Sequence, residues 1–175
     1  MNAFDELLRL TRDTVVLSAP DARLALCPAL GGRVFAEVAG VPAHRFDLDN
    51  VAQPDRDFNN FGGGNLWPAP EGGQFGFNYH GDTWYVQSCI NAQPFTVTAV
   101  ETDHAVIRKE VRLVNRAGTV VETEIAREVR AAPLPVWLAG YAARGAVSYL
   151  TADTFTVRNA VPAETALLAA WTLDQ

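Results

Sequence analysis

Between Ala105 and Arg130 the chain alternates apolar and charged residues on both sides of a turn, and this pattern constrains the fold most. Ala105, Ile107, Val111 and Leu113 share one face, interrupted by Lys109, while Arg108, Glu110 and Arg112 point the other way. The return run places Val121, Thr123, Ile125 and Val129 on one face and Glu122, Glu124, Glu128 and Arg130 on the other. A helix would scatter these residues around its circumference, whereas a strand gathers them. Asn115-Arg116-Ala117-Gly118 supplies turn residues, with Gly118 able to take a positive φ. The reading is a long antiparallel pair. Opposite charges facing each other across its outer face add on the order of a few tenths of a kcal/mol per pair.

Shorter elements surround the hairpin. Phe4, Leu7 and Leu8 stand at i, i+3 and i+4, which predicts a short amphipathic helix over Asp5 to Arg12. Thr14 to Leu17 is β-branched and apolar, and Leu24 and Leu26 alternate with Arg23 and Ala25 until Pro28. Gly31-Gly32 turns the chain into a strand from Arg33 to Val38. Pro133 and Pro135 break the pattern, Val136 to Leu138 resumes it, and strands follow at Ala146–Leu150, Phe155–Arg158 and Leu167–Leu173. Many strands with one helix predict an all-β, antiparallel β-sandwich with a short N-terminal helix. A length of 175 residues fits one domain, 1–175.

Composition narrows the function classes. With 49% hydrophobic residues the chain can build a core, and a net charge of −6 argues against a phosphate-backbone binder, so no nucleic acid is expected. Asp5, Glu6 and Arg9 interrupt any secretory apolar region, and no run of about 18 apolar residues offers a membrane span. Cys27 and Cys89 belong to no C-x-x-C pair and read as reduced thiols of a cytoplasmic protein. His44 with Asp47 and Asp49 has the residue types of a metal site but reads as a surface loop with a solvated histidine, so no metal is expected. Gly62-Gly63-Gly64 lacks the Lys-Ser/Thr of a phosphate loop, and Ser88-Cys89 lacks a nucleophile-elbow context. No cofactor is expected.

Asn59 to His80, NNFGGGNLWPAPEGGQFGFNYH, differs from its surroundings. Glycines let backbone pass close to a ligand, prolines stiffen the loop, and aromatic faces match the flat C–H face of a pyranose. Glu71 and Gln74 add carboxylate and amide groups, as a sugar site requires. The competing reading is a rigid core crossing in which Trp67 and the Phe residues are simply buried. His80, in Tyr79-His80-Gly81-Asp82 with Trp84 just after, has the titration range to protonate a ring oxygen or bond a hydroxyl. Alternatively it is a loop histidine paired with Asp82.

Three stretches carry a family likeness: CPALGGRVF at Cys27 to Phe35, FGGGNLWPAPEGGQF at Phe61 to Phe75, and VRLVNRAGTVVETEIAREVR at Val111 to Arg130. AAWTLDQ at Ala169 to Gln175 matches more weakly. In family order, these resemble the galactose-mutarotase-like (aldose 1-epimerase-like) superfamily, in particular a bacterial branch of it. The resemblance implies a β-supersandwich, of which this chain is part, binding carbohydrate across a concave sheet. Mutarotation needs a base for the anomeric hydroxyl and an acid for the ring oxygen. His80-Gly81 looks like the family's sugar-holding histidine. The family's acid, a histidine after an Asn, has no counterpart at Arg158-Asn159-Ala160-Val161-Pro162, and its glutamate base lies beyond Gln175.

Two expectations follow. The first is a carbohydrate-binding, mutarotase-like domain with Arg33, Asn65, Trp67, Gln74 and Trp84 as sugar contacts. If it is an aldose 1-epimerase-like isomerase, His80 and Glu71 are its catalytic residues. The second is a non-catalytic structural or protein-interaction sandwich. The apolar last strand, Ala166 to Leu173, has an edge that needs cover. That predicts either a homodimer or a missing C-terminal half.

Overall fold

In the computed structural model, residues 2–19, 21–54, 58–138, 140–141 and 145–175 are described. The first element is helix α1 (Ala3–Leu10), capped by the Asn2 side chain accepting from Asp5 N–H at 2.9 Å. That cap starts the helix at Ala3, two residues before the expected start at Asp5. Thr11 ends it, since its backbone N–H and its hydroxyl both donate to Leu7 C=O.

Strands β1 (Val15–Ala19), β2 (Ala22–Cys27), β3 (Arg33–Val38) and β4 (Val41–Pro42) form one antiparallel sheet in that order. Helix α2 (Leu48–Ala52) follows, then β5 (Asn65–Ala69) and the small hairpin β6 (Tyr79–His80) and β7 (Thr83–Trp84). After the short helix α3 (Ser88–Asn91) come β8 (Thr96–Val100), β9 (His104–Val114), β10 (Val120–Ala131) and β11 (Tyr149–Val157). These four pair antiparallel in the order β11-β10-β9-β8, and β12 (Ala169–Leu173) pairs with β5.

The molecule is an all-β sandwich with an N-terminal helix. Leu17, Leu24, Leu26 and Val34 of the first sheet meet Ile107, Leu113, Ile125 and Val129 of the second, with Trp67, Phe77 and Phe95 filling between. The other face of the first sheet is covered as well. There Phe4, Leu7 and Val51 of the two helices pack on Ala25, Cys27 and Phe35. Burial on both sides explains why β2 and β3 carry few polar residues.

The hairpin forms as its alternation predicts, with Gly118 at φ 86°. Its charges pair diagonally rather than directly. Glu124 stands opposite Glu110, yet takes Arg108 at 2.8 Å and Arg158 at 2.9 Å.

Four expected strands change. Val136–Leu138 is a 3-10 turn, with Trp137 74% exposed, because Pro133 and Pro135 have no N–H to give a ladder. The strands expected at Ala146–Leu150 and Phe155–Arg158 overlap the two ends of a single strand, β11 (Tyr149–Val157). Its middle escaped the pattern because its inward positions hold Thr151 and Asp153, the latter directly opposite Arg127. The last strand is shorter than expected and is paired along one edge, with Trp171 opposite Trp67. Among the described residues no helix is long and apolar enough to cross a membrane.

Candidate functional site

The glycine-rich run brings β5 into the sandwich. Gly63 has φ 71°, and a Cβ there would lie 2.7 Å from Val34 C=O, so only glycine fits. Gly64 exchanges backbone hydrogen bonds with Val34 on β3. Beyond β5 the loop folds back, with Phe77 N–H donating to Pro70 C=O at 3.2 Å. Arg116 and Ala117 N–H of the β9–β10 turn donate to Gly76 and Gln74 C=O, which seats the loop on the long hairpin.

The loop presents Glu71 to the β6–β7 hairpin. Trp84 Nε1 donates to Glu71 Oε1 at 3.4 Å, and Phe58 meets Trp84 edge-on with ring centroids 5.2 Å apart. Trp84 is held at two points yet stays 43% exposed. It lines a cleft of about 530 Å3 with Phe58, His80, Thr83, Tyr85 and Val86. A second cleft of about 520 Å3 shares His80 and Tyr85 and continues toward Gln87, Arg112 and Arg116. Asp82, weighed as a partner for His80, pairs instead with Arg116.

His80 and Trp84 thus line one cleft, Glu71 touches Trp84 from outside both linings, and the other expected contacts lie elsewhere. Arg33 is 1% exposed and donates to Gly62 C=O at 2.7 Å and Asn91 Oδ1 at 3.1 Å, so it is a core residue rather than a sugar contact. Asn65 and Trp67 are buried in β5, where pairing with β12 closes off the strand. Trp67 supports the cleft from below, its ring edge-on to Phe58 at 5.8 Å. Gln74 is exposed at the loop tip and outside both cleft linings, because the β9–β10 turn holds its backbone there.

A second constellation gathers at the opposite end of β5. Tyr149 OH donates to Asp174 Oδ1 at 3.1 Å and lies 3.3 Å from His44 Nε2. A Cβ on Gly64 would collide with Asp174 Oδ1, so this approach also depends on glycine. Arg127 and Asp153 extend the group inward, Nε to Oδ1 at 3.6 Å. Arg127 and Asp153 were not singled out in the sequence. Their signal was parity: each is a charged residue at an inward position of its strand.

His44 corrects the solvated-loop expectation. Its side chain is 10% exposed, and Nδ1 accepts Ala36 N–H at 2.9 Å. Asp47 caps α2 through Asn50 N–H, and no group of three metal-ligating side chains gathers among the described residues. Burial holds the His44 pKa below its usual value, against the opposing pull of Asp174. A base with a lowered folded pKa favours the neutral form. Its contribution to stability is therefore complete above the unfolded value of about 6.5 and declines as pH falls through and below it. The urea midpoint is expected to drop between pH 7.5 and 5.0, and His44→Gln to flatten that slope. An equal slope in the variant would remove His44 from the titration.

Burial also raises both thiols, Cys27 to about 12, so neither is an activated nucleophile. A family model described as a family of unknown function, DUF6786, matches residues 2–175. No curated protein and no solved structure matches the chain.

Proposed function

We propose that this chain, which belongs to the DUF6786 family across residues 2–175, is a carbohydrate-binding domain whose saccharide lies against Trp84. The observation that carries this reading is the half-exposed Trp84 ring, held by Glu71 and Phe58, bordering the same cleft as His80. Immobilised aromatic faces stack on sugar C–H faces with little loss of side-chain entropy, and an adjacent imidazole and carboxylate supply hydroxyl partners. The resemblance to mutarotase-like proteins supports the same ligand class, and two unpaired thiols support a cytoplasmic setting.

Chemistry beyond binding would rest on His80 as acid and Glu71 as base. Glu71 already accepts the Trp84 indole N–H, which favours an anchoring role for its carboxylate. In a titration with common neutral aldoses followed by backbone amide shifts, Trp84→Ala is expected to weaken binding at least ten-fold, about 1.4 kcal/mol. No response from any aldose would end the reading. NMR of α/β-anomer exchange tests catalysis separately. A wild-type rate equal to those of Glu71→Gln and His80→Ala leaves binding alone.

A second reading, a module that associates through a sheet edge, draws on β11. It is the last strand of its sheet and carries Leu150 and Val157 at 62% and 44% exposure. Sedimentation decides it, since a monomeric mass at high concentration excludes self-association by that edge.

A further inference from the structure

Three cationic side chains are buried among the described residues. Arg33 donates to a carbonyl and an amide, and Lys109 Nζ donates to the carbonyls of Cys89, Ile90 and Gln93. Arg127 differs. It is 1% exposed, and neither its Nε nor its Nη1 has a hydrogen-bond partner. Asp153, its cross-strand neighbour, stands 3.6 Å away with Oδ1 equally unpartnered. Arg33 lies close enough to repel Arg127, and burial raises the Asp153 carboxyl pKa, which weakens it as a counter-charge. Arg127 therefore has Asp153, and Asp174 at the cavity rim, as counter-charges, with no hydrogen bond to its Nε or Nη1. A guanidinium left this way is costly, and an anion meeting its N–H fork would relieve it.

Space for that anion exists. Arg127 lines a cavity of about 320 Å3 with Ser148, Tyr149, Thr151, Thr172 and Asp174. Hydroxyl-bearing side chains dominate the lining, and Asp174 stands at its rim with a 66% exposed side chain. We propose that this cavity binds a small hydroxylated carboxylic acid, a sugar acid, with Arg127 anchoring the carboxylate. Ligand hydroxyls would donate to Asp174 and accept from the threonine and serine hydroxyls. A phosphate dianion suits the site less, because Asp153 and Asp174 both face it. The site lies beside Gly64 and Asp174, at the opposite end of β5 from the Trp84 cleft, and does not rest on that cleft's reading.

The test is an amide-resolved NMR titration of the whole chain with D-glucuronate, D-glucose and inorganic phosphate. Glucuronate is expected to shift resonances of residues 148–151 and 172–174, to leave the Trp84 indole N–H still, and to bind at least ten-fold more tightly than glucose. Arg127→Gln should abolish that preference. Thr172→Trp, at the exposed rim, should block glucuronate with the spectrum still dispersed, which keeps the test decisive if Arg127→Gln unfolds. The proposal is overturned by any of four results: no shifts at these residues, equal affinity for glucose, tighter binding of phosphate, or unaltered binding in Thr172→Trp.

Discussion

Arg33→Ala is expected to lower the unfolding free energy by about 3–5 kcal/mol, read as a urea midpoint shift at constant slope. The substitution removes the donor to Gly62 C=O and Asn91 Oδ1 and the guanidinium that lies 5.6 Å from the Phe61 ring centre. It also opens a cavity between the glycine-rich run and α3, where Asn91 in turn donates to Asn59 C=O at 3.1 Å. Burial and the neighbouring Arg127 bring the Arg33 pKa down to about 10, so the side chain is still charged at neutral pH. Arg33→Met should cost less, because the aliphatic stem keeps its packing. Saccharide affinity at the Trp84 cleft should survive in both variants. Unchanged stability with lost binding would return Arg33 to the role of a ligand contact.

Lys109→Ala should cost about 3 kcal/mol. The ammonium sits 2.7 Å from Cys89 C=O and 3.3 Å from the carbonyls of both Ile90 and Gln93, where α3 ends. These carbonyls have no following helical turn to satisfy them, so the lysine supplies what a C-cap would. Its Nζ also lies 4.3 Å from the Phe95 ring centre. Burial draws the pKa down to about 8, which still leaves the three-donor form dominant at neutral pH. Loss of protection in α3 by amide exchange, alongside the global destabilisation, is the expected signature. A Lys109→Ala protein as stable as the parent would mean that water caps these carbonyls equally well.

These two cations and Arg127 occupy equivalent places in the pattern and have different fates. Each interrupts an apolar face, and for Arg33 and Lys109 the interruption is answered by carbonyl groups of a neighbouring loop or helix end. For Arg127 the facing element is β11, which offers Asp153 at 3.6 Å and a cavity. The contrast separates structural charge from charge held ready for a ligand.

Period-two alternation was enough to place the β9–β10 hairpin, because half-buried strands must segregate their faces. β3 followed instead from the Gly31-Gly32 turn, where the φ of 68° at Gly31 suits glycine. The residues gathered around Trp84 were also legible, since Glu71, which accepts its indole N–H, and His80, which shares its cleft, lie within fourteen positions of one another. β11 was read as two strands because polar inward positions erase the alternation where a cavity replaces a core.

Local order along the chain thus determined the β9–β10 hairpin, the faces of its two strands and the glycine turns that bound it and β3. Only the packing of one sheet on another decided that Arg33 is interior, that Trp67 lies beneath the cleft, and that His44, Tyr149 and Asp174 meet. The physical reason is that periodicity assigns a direction to a side chain, whereas the cost of burying its charge depends on what arrives from distant segments to face it.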